Sequence, residues 1–267
     1  MPKLSIVTIN LNNKAGLQKT IESVFTQTFT DYEYIIIDGG STDGSKELIE
    51  NNANKFVYWV SEKDKGIFNA MNMGIKVADG DYLIFMNSGD YFFSEAVLQN
   101  VFVNGYEEDI LYGNVKWWPI DYNGVYPDLL TFEHFIHNTI PHQGAFIKRK
   151  LFDVVGLYDE DYTVNSDWIF FILAVYKYNY SYRHLSIIIS YCNTDGISLT
   201  KEGSLETQRI RLEFIEKHFK AFNEDLQNLK HQLVAAKMQS GLLKYRLVKY
   251  AIAIHNHVRK VQRIFYR

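Results

Sequence analysis

Four short apolar segments near the start of the chain alternate with segments of helical periodicity. The apolar segments are Leu4–Ile9, Tyr34–Ile37, Phe56–Val60 and Tyr82–Met86, and the helical patterns between them cover residues 17–25, 45–54 and 67–77. Continuous apolar runs that are rich in β-branched and aromatic residues are typical of strands covered on both faces. Strands that alternate with helices predict a mostly parallel sheet flanked by helices, which is an α/β fold.

Each of these predicted strands ends in a polar cluster. The four clusters are Asn10–Asn13, Asp38–Gly44, Glu62–Gly66 and Asn87–Asp90. The carboxyl ends of parallel strands meet at one edge of an open sheet, where ligands bind in a crevice. The clusters therefore predict a polar binding site at that edge.

After residue 94 the alternation of strands and helices fades, and the chain becomes rich in aromatic residues. The patterns there predict helices at Lys148–Val155 and Ser166–Tyr176, a strand at Arg183–Tyr191, and helix from Ser204 to the end. We therefore expect a main domain over residues 1–203, divided near residue 93, and a helical extension over 204–267.

Charge and cysteine content narrow the function classes. The chain has 28 Lys and Arg against 31 Asp and Glu, and residues 226–267 hold nine of the basic residues and no acid. Residues 1–225 then carry 19 basic and 31 acidic side chains, a net charge of −12, which argues against nucleic acid as a partner. The single cysteine, Cys192, and the lack of a signal-like or spanning apolar segment predict a cytoplasmic location.

The sequence lacks two common nucleotide-binding motifs, which argues against hydride transfer and NTP hydrolysis. A dinucleotide site needs Gly-x-Gly-x-x-Gly after the first strand, but the turn here is Asn10-Leu-Asn-Asn13, and no Gly-Lys-Ser/Thr of a P-loop occurs. Several carboxylates with few cations instead suit Mg²⁺ or Mn²⁺ holding a diphosphate, because hard cations take oxygen ligands.

Three segments carry a resemblance to a known family: IVTINLNNKAGLQKTIESVFTQTFTDYEYIIIDGGSTDGS, SEKDKGIFNAMNMGIKVADGDYLIFMNSGD and PHQGAFIKRKLFDVVGLYDEDYTVNSDWIFFI. They resemble the nucleotide-sugar-dependent glycosyltransferases of family 2, in family order, over residues 3 to about 195. The resemblance implies a Rossmann-like GT-A fold and an inverting, non-processive hexosyl transfer. The donor would be a nucleotide diphosphate sugar, with a UDP-sugar expected, and the acceptor a hydroxyl of a glycan or lipid-linked acceptor in cell-surface polysaccharide biosynthesis. Residues 1–93 would form the nucleotide-binding half of the domain and residues 94–203 the acceptor half.

The resemblance also assigns roles on the donor side. Asp38 matches the aspartate that accepts the imide hydrogen of the base, and Asp90 matches the carboxylate that reaches Mn²⁺ or Mg²⁺. Asn87 stands where the family usually has an acid. The full set implied to surround the nucleotide is Thr8, Asn10, Asp38, Asp64, Asn72 and Asn87. Asn10, Asp38, Asp64 and Asp90 are also ordinary turn or cap residue types, and that alternative stays open.

Asp167 matches the family's catalytic base, which takes the proton of the acceptor hydroxyl. An N-cap role for Ser166 or Asp167 at the start of the predicted helix is the alternative. His142, Gln143 and Trp168 are expected in the donor and acceptor pocket, although a lone histidine is more often a packing residue. Gln208-Arg-Ile-Arg211 is expected to be an ordinary charged helix face.

The basic C-terminal segment predicts an amphipathic helix. Its apolar stripe is Leu243, Leu247, Tyr250, Ile254, Val258, Val261 and Phe265. Such a helix suits an anionic membrane surface, and the same stripe suits packing on the domain or on a second subunit of a homodimer. For the whole chain, a sugar-nucleotide pyrophosphorylase and a non-catalytic glycan- or nucleotide-binding protein are the two alternative functions.

Overall fold

A computed structural model describes residues 2–196 and 200–239, together with residues 249 and 252. The chain forms two compact units, Met1–Arg211 and Leu212–Arg267. The finer division of the main domain at residue 93 stays a prediction.

The first half of unit 1 alternates strands and helices as the sequence predicts. Its elements are β1 (Leu4–Asn10), α1 (Lys14–Phe25), β2 (Tyr32–Asp38), α2 (Ser45–Glu50), β3 (Tyr58–Ser61), α3 (Ile67–Val77) and β4 (Tyr82–Phe85). The pairs β1–β2, β2–β3 and β1–β4 are all parallel, so the helix-flanked α/β sheet is confirmed. The helix α2 is shorter than predicted, because the chain leaves it at Glu50 and forms a 3₁₀ turn at Ala53–Lys55.

The second half of unit 1 extends the same sheet with mixed strand directions. Its elements are β5 (Tyr91–Phe92), α4 (Val97–Phe102), β6 (Ile110–Trp118), β7 (Tyr122–Gly124), α5 (Phe132–His137), β8 (Ala145–Lys148), α6 (Leu151–Val154), α7 (Ser166–Ile172) and β9 (Tyr182–Asn193). The strand order is β3-β2-β1-β4-β8-β6-β9-β5, with β7 beside β6. The strand β8 is antiparallel to both β4 and β6.

Two predicted helices differ from the structure. The predicted helix Lys148–Val155 is helical only over Leu151–Val154, and the strand β8 before it is not apparent from the sequence. Burial explains this difference, since Phe146 and Ile147 are fully buried in the sheet, where tertiary packing overrides local propensity. The helix predicted at Ser166–Tyr176 is α-helical to Ile172 and continues as a π-helical turn, Leu173–Lys177.

The strand order places a crevice beside β1. The strand β1 pairs with β2 on one side and with β4 on the other, so the order reverses there, and open α/β sheets bind ligands at such a switch point. The helix α3 lies close against β1, because a Cβ on Gly74 would lie only 2.4 Å from Cγ1 of Val7. On the opposite face of β1, Leu17, Ile21 and Val24 anchor α1 in a buried core with Leu4 and Ile6.

The C-terminal part of the chain is helical where it is described, in α8 (Lys201–His218) and α9 (Lys220–Gln239). Of the helices within the described ranges, none combines the length and apolar character needed to cross a bilayer. The predicted apolar stripe from Leu243 to Phe265 lies outside the described residues.

Candidate active site

Asp38 ends β2 and is fully buried at the rim of the crevice. Its Oδ1 accepts hydrogen bonds from Asn10 Nδ2 and Ser41 Oγ, both at 2.6 Å, and its Oδ2 accepts from Ser61 Oγ at 2.6 Å and from the Ser41 N–H at 3.0 Å. Burial raises the pKa of Asp38, but these hydrogen bonds outweigh it and leave the pKa below its ordinary value. Asp38 is therefore an ionised carboxylate that fixes the tips of three strands.

Asn10 offers the free acceptor beside this carboxylate. Its Nδ2 is engaged with Asp38, whereas its Oδ1 is buried and has no hydrogen-bond partner. A buried acceptor without a partner is costly, so Oδ1 suits a donor brought by a ligand.

Asp64 approaches the same rim from the loop after β3. Its Oδ1 accepts from the Gly66 N–H at 2.9 Å. A Cβ built on Gly39 would lie 2.7 Å from Asp64 Oδ2, so the missing side chain at Gly39 provides the space for this carboxylate. Asp38 and Asp64 therefore flank Gly39.

Thr8 and Asn72, which are predicted to surround the nucleotide, bind protein groups instead. Thr8 is fully buried, and its Oγ1 lies 3.0 Å from the Tyr34 hydroxyl. Asn72 Nδ2 donates to Tyr158 O at 2.8 Å and to Glu160 Oε1 at 2.9 Å, and Asn72 Oδ1 accepts from the Tyr158 N–H at 3.0 Å. The sequence does not reveal these tertiary contacts. We interpret Thr8 and Asn72 as residues that stabilise the elements around the site.

Asn87, Ser88, Gly89 and Asp90 form the turn between β4 and β5. Gly89 has a φ of 102°, a conformation that favours glycine. Asn13 Nδ2 donates to Ser88 O at 2.9 Å, and the Gly89 N–H donates to Thr20 Oγ1 at 3.0 Å. The turn is thus fixed to α1 and to the residue that precedes it.

Asp90, the last residue of this turn, is buried between polar groups of two other segments. Its Oδ1 accepts from the Asn193 N–H at 2.8 Å, and its Oδ2 accepts from Gln143 Nε2 at 3.1 Å. Burial, with only 4% of the residue exposed, raises the pKa of Asp90 to about 6 despite these two hydrogen bonds and the nearby His142. A carboxylate in this environment is stabilised by a nearby cation.

Asp167 lies in the first turn of α7, and its side chain keeps 16% exposure. Its Oδ2 lies 3.0 Å from His142 Nδ1, and its Oδ1 accepts from the Trp168 N–H at 2.9 Å. Burial raises the pKa of Asp167, but the hydrogen bonds from His142 and from the Trp168 N–H outweigh it, so the pKa stays below its ordinary value. The carboxylate is ionised near neutral pH, as a general base must be.

Neither Ser166 nor Asp167 is the N-cap of α7, so the alternative role for these residues is wrong. The N-cap is Asn165, with a φ of 71°, and Ser166 Oγ instead accepts from the Asp159 N–H at 2.6 Å. Trp168 is fully buried, and its Nε1 donates to Phe135 O at 2.8 Å. Trp168 therefore does not line the predicted pocket directly, and it packs behind residues that can.

His142 and Gln143, in a 3₁₀ turn after Pro141, join the two carboxylates. His142 binds Asp167 and Gln143 binds Asp90, so adjacent residues hold the proposed base and the proposed metal ligand. Asn87 Nδ2 lies 3.1 Å from His142 Nε2, which links the β4–β5 turn to the same unit.

Arg211 is a site neighbour that the sequence pattern does not reveal. Its guanidinium carbon lies 5.4 Å from the centre of the Trp168 ring, its Nε is buried without a partner, and its charge acts on Asp167. Burial lowers the pKa of Arg211 to about 10. The expected charged face is therefore wrong at this residue, although Gln208 and Arg209 are exposed. Asn193 was also missed, because it contributes a backbone N–H.

The fold and the acidic crevice define a glycosyltransferase of the GT-A class. Residues 5–142 match the family described as "Glycosyl transferase family 2". The chain belongs to this family.

Curated relatives and solved structures agree with this assignment. A "PGL/p-HBAD biosynthesis glycosyltransferase" of Mycobacterium bovis is 31% identical over 213 residues, which cover 74% of this chain and 80% of the relative. An "Uncharacterized glycosyltransferase MT1564" of Mycobacterium tuberculosis is 32% identical over 185 residues, or 65% of this chain and 69% of that protein.

Two solved structures share the fold at low sequence identity. S. aureus TarS in complex with UDP-GlcNAc superposes with a TM-score of 0.63 at 18% identity, covering 80% of this chain and 66% of that chain. Mannosyltransferase PcManGT from Pyrobaculum calidifontis, in complex with GDP-Man and Mn²⁺, gives a TM-score of 0.57 at 16% identity over 95% of this chain and 80% of that chain.

Proposed function

We propose that this glycosyltransferase is inverting and non-processive, and that it transfers one hexose from a UDP-sugar to a hydroxyl of a glycan or lipid-linked acceptor. A role in cell-surface polysaccharide biosynthesis is consistent with the mycobacterial relative named for PGL/p-HBAD biosynthesis. The complex of TarS with UDP-GlcNAc supports a uridine donor.

One observation carries the proposal. The carboxylates Asp90 and Asp167 lie 77 positions apart in the sequence, yet both are bound by the adjacent residues Gln143 and His142. A transferase needs a site for the donor diphosphate beside a base for the acceptor, and this arrangement brings together the residues for both.

Asp167 is the proposed base. In an inverting transfer, the acceptor oxygen attacks the anomeric carbon as its proton passes to a carboxylate, and the bond to the diphosphate breaks from the opposite side. The low pKa of Asp167 keeps it ready to accept that proton at neutral pH. Its two carboxylate oxygens each accept one hydrogen bond from the protein, which leaves lone pairs for the acceptor.

Asp90 fits a divalent cation as a single protein carboxylate. The described ranges contain no group of three or more His, Cys, Asp or Glu side chains that could hold a metal alone. Oxygens of the donor diphosphate and water would therefore complete the ligand set, a mode of binding that Mg²⁺ and Mn²⁺ favour. When bound, such a cation would neutralise the charge that grows on the departing diphosphate.

The nucleoside would lie over the tips of β1 and β2. Asn10 Oδ1 is the acceptor without a partner there, and Asp64 presents a carboxylate above Gly39. Asp38, which already accepts four hydrogen bonds, would position Asn10 in addition to adding negative charge near the imide.

We further propose a cytoplasmic location with contact to an anionic membrane surface through the basic segment after residue 240. Each basic side chain near anionic lipid contributes about 1 kcal/mol, so a segment this basic favours such a surface. A homodimer through the same segment is the alternative.

A panel of nucleotide sugars tests the function. We expect UDP-sugars with Mn²⁺ to raise the melting temperature, and release of UDP to require a glycan acceptor. Asp167→Asn should bind the donor normally and lose transfer by about 10²- to 10⁴-fold. No thermal shift with any nucleotide would refute the proposal, as would an Asp167→Asn variant with normal turnover.

A further inference from the structure

Asn87, His142 and Asp167 form a continuous hydrogen-bonded chain across the crevice. Asn87 Nδ2 lies 3.1 Å from His142 Nε2, and His142 Nδ1 lies 3.0 Å from Asp167 Oδ2. The side chains of His142 and Asp167 are only 13% and 16% exposed. Both ring nitrogens are therefore committed to protein partners, which limits the protonation states of the ring.

The two partners together select one tautomer of the ring. An ionised carboxylate only accepts hydrogen bonds, so His142 Nδ1 carries a proton and donates it to Asp167. The amide of Asn87 turns Nδ2 toward the ring and leaves its own Oδ1 buried without a partner. In this orientation Nε2 accepts and carries no proton. The ring is then neutral, with its proton on Nδ1.

We propose that His142 is a positioning residue for Asp167, and that Asn87 holds its ring as the neutral Nδ1–H tautomer. The inference rests on the proposed role of Asp167 as the base. The ring fixes Oδ2 while the Trp168 N–H fixes Oδ1, so the carboxylate cannot rotate away from the acceptor.

An amide at position 87 suits this role, whereas an acid does not. A carboxylate there could not donate to Nε2, and it would instead favour a second ring proton and an imidazolium beside Asp167. A cation paired with the base makes the base weaker, because an opposite charge stabilises the ionised carboxylate. Asn87, which stands where the family usually has an acid, therefore helps to keep the His142 ring neutral.

Other titratable groups also face these residues. Arg211 and Tyr158 interact electrostatically with Asp167, and Asp90 lies near His142. None of them is a hydrogen-bond partner of the His142 ring among the described residues, so the tautomer is set by Asn87 and Asp167.

The chain contains a matched control in His184. His184 Nδ1 lies 2.7 Å from Asp128 Oδ1, and its Nε2 lies 3.1 Å from Asn114 Oδ1. Here the amide is turned the other way, since Asn114 Oδ1 also accepts from the Tyr126 N–H at 3.0 Å. His184 Nε2 must therefore donate. His184 lies nine positions from Asn193 along β9, which is about 30 Å of strand.

Nitrogen-15 NMR of the histidine rings in the full-length protein tests the tautomer without any activity assay. At pH 7.5 we expect a neutral His142 with its proton on Nδ1, and a His184 whose Nε2 is protonated. The His142→Gln and His184→Gln variants assign the signals by their loss. Asn87→Asp should add a proton to His142 Nε2. A wild-type His142 protonated on Nε2, alone or together with Nδ1, would overturn the proposal.

Kinetics of matched variants test the positioning. His142→Ala should lower kcat by about 10- to 100-fold and leave UDP affinity unchanged, because a base displaced by about 1 Å loses rate rather than binding. His142→Asn, whose amide can donate to Asp167, should recover part of kcat, and His184→Ala should match wild type. Equal kcat for wild type and His142→Ala would overturn the role in positioning. If the wild type transfers no sugar but shows the expected tautomer, the proposed function fails and the ring assignment stands.

Discussion

Gly39 provides a direct test of how the crevice holds the nucleoside. In Gly39→Ala, the new Cβ would lie 2.7 Å from Asp64 Oδ2, 3.2 Å from Asp64 Cγ and 3.3 Å from Leu11 Cδ1. A normal contact needs about 3.4 Å or more, so the Asp64 carboxylate must move away by roughly 0.7 Å. The backbone itself is not strained, because Gly39 is not among the residues with positive φ.

The displacement should weaken UDP binding and leave the free energy of unfolding nearly unchanged. A hydrogen bond to a charged group contributes about 1.5–3 kcal/mol, so losing the contact between Asp64 and the nucleoside should weaken UDP binding by about 10- to 100-fold. The free energy of unfolding should stay within about 1 kcal/mol of wild type, since replacing Gly by Ala also restricts the unfolded chain.

Titration calorimetry with UDP and chemical denaturation measure these two quantities. Gly40→Ala is the contrasting variant for stability, because its φ of 80° and a Cβ only 3.1 Å from the Lys63 N both strain the backbone, so stability should fall by about 1–2 kcal/mol. In an Asp64→Ala background, Gly39→Ala should have no further effect on UDP affinity. Equal losses from Gly39→Ala in both backgrounds would refute the role of Asp64, and so would wild-type affinity in the single variant.

Three further predictions concern other parts of the chain. Without added metal, Asp90→Asn should raise stability at pH 7 by up to about 3 kcal/mol, because a buried carboxyl whose pKa rises from 3.8 to about 6 becomes destabilising as the pH increases through that interval. The gain should vanish near pH 3.5, and a pH-independent change in the melting temperature would contradict this cause. Arg211→Met removes a cation whose Nε is buried without a hydrogen-bond partner, and it should raise the melting temperature by about 2–4 °C for each kcal/mol gained; a lower melting temperature would show that Arg211 is well compensated. Deleting residues 241–267 should abolish binding to anionic vesicles and leave UDP affinity intact, and vesicle binding that survives the deletion would exclude the tail as the membrane contact.

The sequence predicted the strands with polar ends well, because burial on both faces leaves a continuous apolar run. It also predicted that Asp38 and Asp90 lie at the same edge of the sheet, since Asp38 stands at the end of one such strand and Asp90 follows another after a short turn. It could not show that β8 lies between β4 and β6, because four residues ahead of a short helix give little periodicity.

Side-chain partners were the least predictable feature of the site. His142 and Asp167 are 25 positions apart, and Asn87 and His142 are 55 apart, so only the folded chain shows that they touch. The burial of Arg211 depends on Trp168, which lies on another helix, and the sequence pattern of α8 alone therefore suggested an ordinary charged face.

The two hydrogen bonds between Asn72 and the backbone of Tyr158 bear on how such an enzyme could come to accept a different glycan. One amide replaces a short piece of strand pairing, since it both donates to and accepts from the backbone of Tyr158. Tyr158 precedes Asp167 by nine positions, so α3 restrains the path toward the proposed base, together with Phe135, whose carbonyl accepts from Trp168. Changes in the loops of residues 94–141 that leave β6 and Phe135 in place would reshape the surface that meets a new glycan while the reacting carboxylate keeps its position.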